Sequence, residues 1–178
     1  RGADIDGEAA NDYSGVSVSL SSDGSIVAIG ANFNDGAGNA AGHVRVYAWS
    51  GSAWVQRGVD IDGEAANDYS GYSVSLSSDG SIVAIGAYGA YGNNGAASAA
   101  GHVRIYAWSG SAWVQRGADI DGEAANDYSG RSVSLSSDGS IVAIGAYLND
   151  GTGTSAGHVR VYAWSGSAWV QRGADIDG

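Results

Sequence analysis

The chain has 178 residues, with 19 acidic residues against 8 arginines and a formal charge of −11. That balance argues against nucleic-acid and anionic-membrane partners, which need a cationic footprint. Cysteine, proline and methionine are absent, which excludes a disulfide framework and a thiolate metal site, and no apolar run approaches the roughly 18 residues that a membrane-crossing helix needs.

The first organising feature is repetition. Residues 1–56 align with 57–115 and with 116–171, and 172–178 begin a fourth copy. The first and third units differ at 6 of 56 positions, and the second carries three extra residues in one segment. Such similarity requires one structure for each unit and a shared solution to burial. The partial copy reads as a cut through a longer repeating series.

Within the first unit, residues 17–21 (Ser-Val-Ser-Leu-Ser) alternate strictly, the mark of a half-buried strand. Val16, Val18 and Leu20 share one face; the serines on the other are small enough for close approach to another backbone. Ser22-Asp23-Gly24 reads as a tight turn with glycine available for a positive φ. Residues 25–31 (Ser-Ile-Val-Ala-Ile-Gly-Ala) are apolar on both faces and predict a strand covered on both sides. A loop rich in glycine and asparagine spans 32–41. Residues 43–49 (His-Val-Arg-Val-Tyr-Ala-Trp) alternate again, with Val44, Val46 and Ala48 inward and His43, Arg45, Tyr47 and Trp49 opposite. After Ser50-Gly51-Ser52, residues 53–61 predict a fourth, more polar strand. No helical period appears.

Each unit is therefore expected to be a four-stranded meander. One such sheet has two apolar faces and cannot stand alone. Stacking like units buries them, which predicts an all-β fold of tandem four-stranded antiparallel blades of the β-propeller type, three blades per chain. A β-solenoid is the alternative, but its coils do not need four turns per unit.

Tyr13-Ser14-Gly15, Asp23-Gly24, Ile29-Gly30-Ala31 and Gly42-His43-Val44-Arg45-Val46-Tyr47 together resemble the FG-GAP repeat, the propeller blade of integrin α-subunits and of many surface proteins. The pattern recurs over 69–106 and 128–162. The resemblance implies the propeller fold and a recognition role. Many blades of that family carry a calcium loop between the first two strands; here Ser22-Asp23-Gly24 is too short to supply the six to eight oxygens calcium takes, so no metal and no cofactor is expected.

Asp4, Asp6, Glu8 and Asp12, repeated at 60–68 and 119–127, form the one acidic cluster. Its spacing departs from an EF-hand ladder, and turn capping with arginine pairing is the favoured reading. His43, His102 and His158 read as hydrogen-bonders on a strand, since three equal copies suit no unique active site and the third strand usually lies away from the axis where three histidines would share a zinc. Trp49/Trp54, Trp108/Trp113 and Trp164/Trp169 flank a turn and read as cross-strand covers of the blade edge, with sugar stacking as the other reading. The loops between the second and third strands hold most differences between units, so Asn32, Asn34, Asp35, Tyr88, Tyr91, Asn93, Asn94, Tyr147, Asn149 and Asp150 are the candidate ligand-binding residues.

These features predict a non-enzymatic extracellular or cell-surface assembly protein whose partner is itself, in a head-to-tail oligomer or filament. The alternative is a module whose rim loops bind a glycan or protein. No catalytic residue, nucleic-acid contact or membrane insertion is expected.

Overall fold

The computed structural model describes residues 2–89 and 98–178, and among these there is no helix. Fifteen short strands form three antiparallel sheets. In the first, β1 (Ser17–Leu20), β2 (Ile26–Ala31), β3 (His43–Trp49) and β4 (Trp54–Gln56) lie side by side in chain order, and β5 (Ile61–Asp62) pairs with the start of β3. The second repeats this with β6 (Ser73–Leu76), β7 (Ile82–Ala87), β8 (His102–Trp108), β9 (Trp113–Gln115) and β10 (Ile120–Asp121). The third uses β11 (Ser129–Leu135), β12 (Ile141–Ala146), β13 (His158–Trp164), β14 (Trp169–Gln171) and β15 (Ile176–Asp177).

The first three strands of each blade fall where alternation predicts them, and Gly24, Gly80 and Gly139 take φ of 68°, 66° and 65° in the predicted turns. The fourth strand differs: instead of one run over 53–61 the chain gives two pieces. Gly58 breaks it, at φ 88° and so close to the next blade that an added Cβ would lie 2.9 Å from the Trp108 ring. Each sheet also straddles a repeat boundary, because β5 belongs to the second unit and residues 176–177 of the partial copy close the third sheet.

The blades stack face to face. Ile26, Ala28, Val44, Val46 and Ile61 of the first blade form one cluster with Leu76, Val83 and Ile85 of the second, with Val74 and Trp113 packed against it. The next junction repeats it with Ile82, Ala84, Val103, Ile105 and Ile120 against Val142, Ile144 and Tyr162. Each fully buried aliphatic side chain there stabilises the stack by about 1.5–3 kcal/mol.

Small residues let the first strands close up. Leu76 N–H donates to Ser19 Oγ at 2.9 Å and Leu135 N–H to Ser75 Oγ at 3.0 Å, while the Ser17 hydroxyl donates to the Gly71 carbonyl at 2.7 Å. A Cβ on Gly30 would lie 1.9 Å from that carbonyl, so the glycine of Ile29-Gly30-Ala31 is required by the junction.

The expectation that the second strand is buried on both faces holds in the first two blades. In the third, Ile141 and Ala143 are only half-buried. Among the described residues, no further sheet lies against them.

Candidate functional site

Three groups of side chains lie outside the cores. The first is the blade junction. Arg57 leaves the first blade, and its guanidinium lies 4.8 Å from the Trp108 ring centre and 5.7 Å from that of Trp113. It donates to the Gly80 carbonyl at 3.1 Å, and the Trp113 indole donates back to the Arg57 carbonyl at 2.7 Å. Arg116 does the same to Trp164, Trp169 and Gly139. The tryptophan pairs sit in register across the hairpin with ring centres 5.4 Å apart, as the cross-strand reading predicts, and at the two internal junctions an arginine occupies their faces. A second clamp repeats three times: Arg104 Nη2 donates to the Asp62 carbonyl at 2.6 Å, Arg160 to Asp121 at 2.6 Å and Arg45 to Asp6 at 2.7 Å. Residues 2–6 thus lie on the first blade as 58–62 lie on the second, with Gly2 against Trp49 and Ile5 against Val27, Ile29 and Tyr47.

The second group is a ridge of aromatic rings along one rim. Ring centres run Tyr13–Phe33 at 5.1 Å, Phe33–Tyr69 at 5.2 Å, Tyr69–Tyr88 at 5.2 Å, Tyr88–Tyr128 at 5.8 Å and Tyr128–Tyr147 at 5.9 Å. Arg131 lies 4.0 Å above Tyr72 and 5.5 Å from Tyr147. Tyr13, Tyr69 and Tyr128 all hold φ of 55°, a left-handed backbone that costs a non-glycine residue about 1–2 kcal/mol. Neighbouring backbone bonds hold that strain, such as Tyr69 N–H to the Ala40 carbonyl at 3.1 Å. Arg131 and Tyr147, which stand in the third unit where the first has Val16 and Asn32, bring their side chains to this ridge. Phe33, which Leu148 replaces in the third unit, is itself a ring of the ridge, and the other three differences, Ala37/Thr152, Asn39/Thr154 and Ala40/Ser155, lie in the adjoining loop.

The third group surrounds each histidine. His43, His102 and His158 are all buried. Each faces a glutamate from the segment that leads into its own blade and an aspartate just after that blade's fourth strand: Glu8 and Asp60, Glu64 and Asp119, Glu123 and Asp175. Neither nitrogen of His102, nor Nε2 of His158, has a hydrogen-bond partner, so at His102 the expected strand hydrogen-bonder is not what the fold makes. Burial holds the His102 imidazole down to about 4, Arg104 acting in the same direction and Asp119 opposing, so this ring is neutral at pH 7.

The FG-GAP repeat family pattern matches residues 119–162. This unit is an FG-GAP repeat. No curated protein matches the sequence. Among solved structures, Kuenenia stuttgartiensis hydrazine synthase superposes with a TM-score of 0.55 at 13% identity, over 91% of this chain and 36% of that one. Saccharomyces cerevisiae Sqt1 gives 0.56 at 13% identity, over 95% of this chain and 36% of that one. The chain therefore spans about a third of either, and likeness at this identity shows the propeller fold alone.

Across the three units the candidate loop residues divide by role. Asn34 and Asn149 point inward, their amides donating to Asp12 and Asp127 at 2.9 Å. Asp35 and Asp150 close their own loops by accepting from the Ala40 and Ser155 N–H groups. Asn32 is buried. Tyr88 and Tyr147 join the aromatic ridge, while Tyr91, Asn93 and Asn94 lie outside the described residues. Of the acidic cluster, Asp12, Asp68 and Asp127 are buried, Asp68 and Asp127 close turns by accepting from backbone N–H groups and Glu8 pairs with Arg45, as the capping reading expects. The sequence reading missed the ridge, because Tyr13, Tyr69 and Tyr128 were absorbed as fold-motif residues. It also missed the histidine trios, whose successive members are 17 to 38 residues apart in chain; their identical recurrence in all three units was the available signal.

Proposed function

We propose that this chain is a non-enzymatic assembly module whose two end faces join other copies head to tail. One observation carries the reading: Leu20 is 59% exposed while its equivalent Leu76 is 7% exposed at an internal junction. Val18, equivalent to Val74, is likewise exposed. At the other end Ile176 is 60% exposed where Ile61 and Ile120 are buried, and Ile141, Ala143, Val159 and Val161 are only half-covered. The open faces are the two halves of an interface the molecule already makes twice. A contact between unlike faces is heterologous, so it closes into a ring or continues as a filament. FG-GAP repeat propellers are in general non-enzymatic, and the equal copies of every polar group suit binding better than a single active site. A location outside the cell or on its surface fits this reading.

Light scattering at micromolar concentration tests it. A mass at a multiple of 17.8 kDa is expected, and a stable mass at that single value would overturn the proposal.

The aromatic ridge favours a second reading, recognition of a glycan or protein along the rim. Tyr13 and Tyr147 are 59% and 51% exposed, and exposed rings beside an arginine suit sugar faces and protein hot spots. Selective signals on a glycan array that vanish in Tyr147→Ala would support it; a blank array together with no protein capture would remove it.

A further inference from the structure

We propose that each trio, Glu8–His43–Asp60, Glu64–His102–Asp119 and Glu123–His158–Asp175, binds one divalent transition-metal ion of the zinc class that ties successive blade segments together. The inference is independent of assembly and departs from the sequence expectation of no metal. That expectation looked for a calcium loop in the first hairpin, whereas these ligands come from three separate stretches.

The distances are the first argument. His43 Nδ1 lies 3.9 Å from Glu8 Oε2 and 3.7 Å from Asp60 Oδ2; His158 Nδ1 lies 3.8 Å from Glu123 Oε2 and 3.5 Å from Asp175 Oδ2. In every trio one ligand atom from each residue falls within 4.8 Å of the others. These gaps are too long for hydrogen bonds. Two ligands at about 2.1 Å from a tetrahedral zinc stand about 3.4 Å apart, so a cation fits between them with little movement.

The outer oxygens are the second argument. Gln56, Gln115 and Gln171 each donate from Nε2 to Oδ1 of the trio's aspartate at 2.6 Å. Arg45, Arg104 and Arg160 sit 3.7, 3.7 and 3.5 Å from Oε1 of the glutamate. In the first and third trios each carboxylate thus has one oxygen engaged by an outer group and the other turned to the imidazole, the usual orientation of metal ligands.

The histidine is the third. His102 is 1% exposed and neither nitrogen has a hydrogen-bond partner, a state that costs free energy unless something completes it. Mixed imidazole and carboxylate donors suit zinc and its neighbours more than calcium. The glutamates, 46% and 45% exposed in the first and third trios, leave an open side for water as a further ligand. Because Glu64 and Glu123 follow the fourth strands of the first and second blades, the ion would join each blade to the next.

The full chain, stripped with chelator and dialysed, is titrated calorimetrically with zinc chloride in excess calcium, which suppresses diffuse binding to the acidic surface. Three equivalents per chain are expected, with cobalt giving visible absorption and zinc raising the thermal midpoint. Asp119→Asn should leave two equivalents, and Gln115→Ala, on the exposed surface, should weaken one of three by about 10–100-fold. No zinc uptake, displacement by calcium, or a stoichiometry and affinity unmoved in both variants would overturn the proposal.

Discussion

Asp23 shows how one residue fixes a turn. Its Oδ1 accepts the Ser21 hydroxyl at 2.7 Å, the Ser25 N–H at 2.9 Å and the Ser25 hydroxyl at 2.8 Å. The Ser21 bond leads in holding its carboxyl down to about 2, and Asp138 is held at about 2 in the same way by Ser136 and Ser140. A carboxylate depressed in the folded state stabilises above its unfolded value, near 4, and that contribution is lost as pH falls through about 2. Carbon-13 titration should therefore find both carboxyls still ionised at pH 3; midpoints near 4 would show the serine bonds to be absent in solution. The glycine beside each aspartate separates backbone from packing. Gly24 and Gly80 share the same φ, so alanine at either meets the same left-handed strain of about 1–2 kcal/mol. A Cβ at Gly80 would also stand 2.6 Å from Ile26, whereas at Gly24 nothing lies within 4 Å. Gly80→Ala should lower the thermal midpoint clearly more than Gly24→Ala, and equal shifts would mean that the junction is looser than the geometry requires.

At the scale of a strand, the same sequence has opposite consequences in different blades. Leu20 and Leu76 are the last residues of β1 and β6, yet one is exposed and the other is in the first junction. Leu76→Asp would bury an unpaired carboxylate at a cost of several kcal/mol, a large part of the 5–15 kcal/mol typical of domains, and should abolish cooperative unfolding. Leu20→Asp should change monomer stability by no more than about 0.5 kcal/mol while reducing the scattering mass. If both unfold alike, the first face is already covered within one chain. This asymmetry also marks what the sequence could tell. Alternation at 17–21 and 43–49 and the doubly apolar run at 25–31 located three strands per blade, because burial within a sheet has a period of two. The break at Gly58 was not legible, since its cause is a tryptophan 50 residues later. Nor was the trio around His43, whose two carboxylates become neighbours only once residues 2–8 lie on the first blade and β5 has paired with β3.

At the scale of the whole molecule, the two ends carry the same segment: residues 1–7 and 172–178 are both Arg-Gly-Ala-Asp-Ile-Asp-Gly, as are the internal residues 116–122. At an internal junction a single such segment, 57–63, serves both sides, pairing with β3 through Ile61 and Asp62 and receiving Arg104 of the next blade at the Asp62 carbonyl. In a head-to-tail joint two copies of the segment meet where only one fits. Residues 2–6 of one molecule already lie on its first blade, with Arg45 on the Asp6 carbonyl, and β15 of its neighbour already pairs with β13 at His158 and Val159. Joining would therefore displace one segment, and the survivor would make both sets of contacts. The displaced contacts would include a hydrogen bond from a charged group, worth about 1.5–3 kcal/mol, so the duplicate would weaken the joint. Deleting residues 1–7 should lower the concentration at which the scattering mass rises by about tenfold or more, since tenfold needs only ~1.4 kcal/mol. Deleting 172–178 instead should have a similar effect, because the neighbour's residues 1–7 then pair with β13 in their place. Deleting both leaves the joint without its shared strand and should raise that concentration above the value for the intact chain. If the first deletion weakened assembly while the double deletion left it unchanged, the two segments would not be competing for one position, and the joint would have to form through another surface.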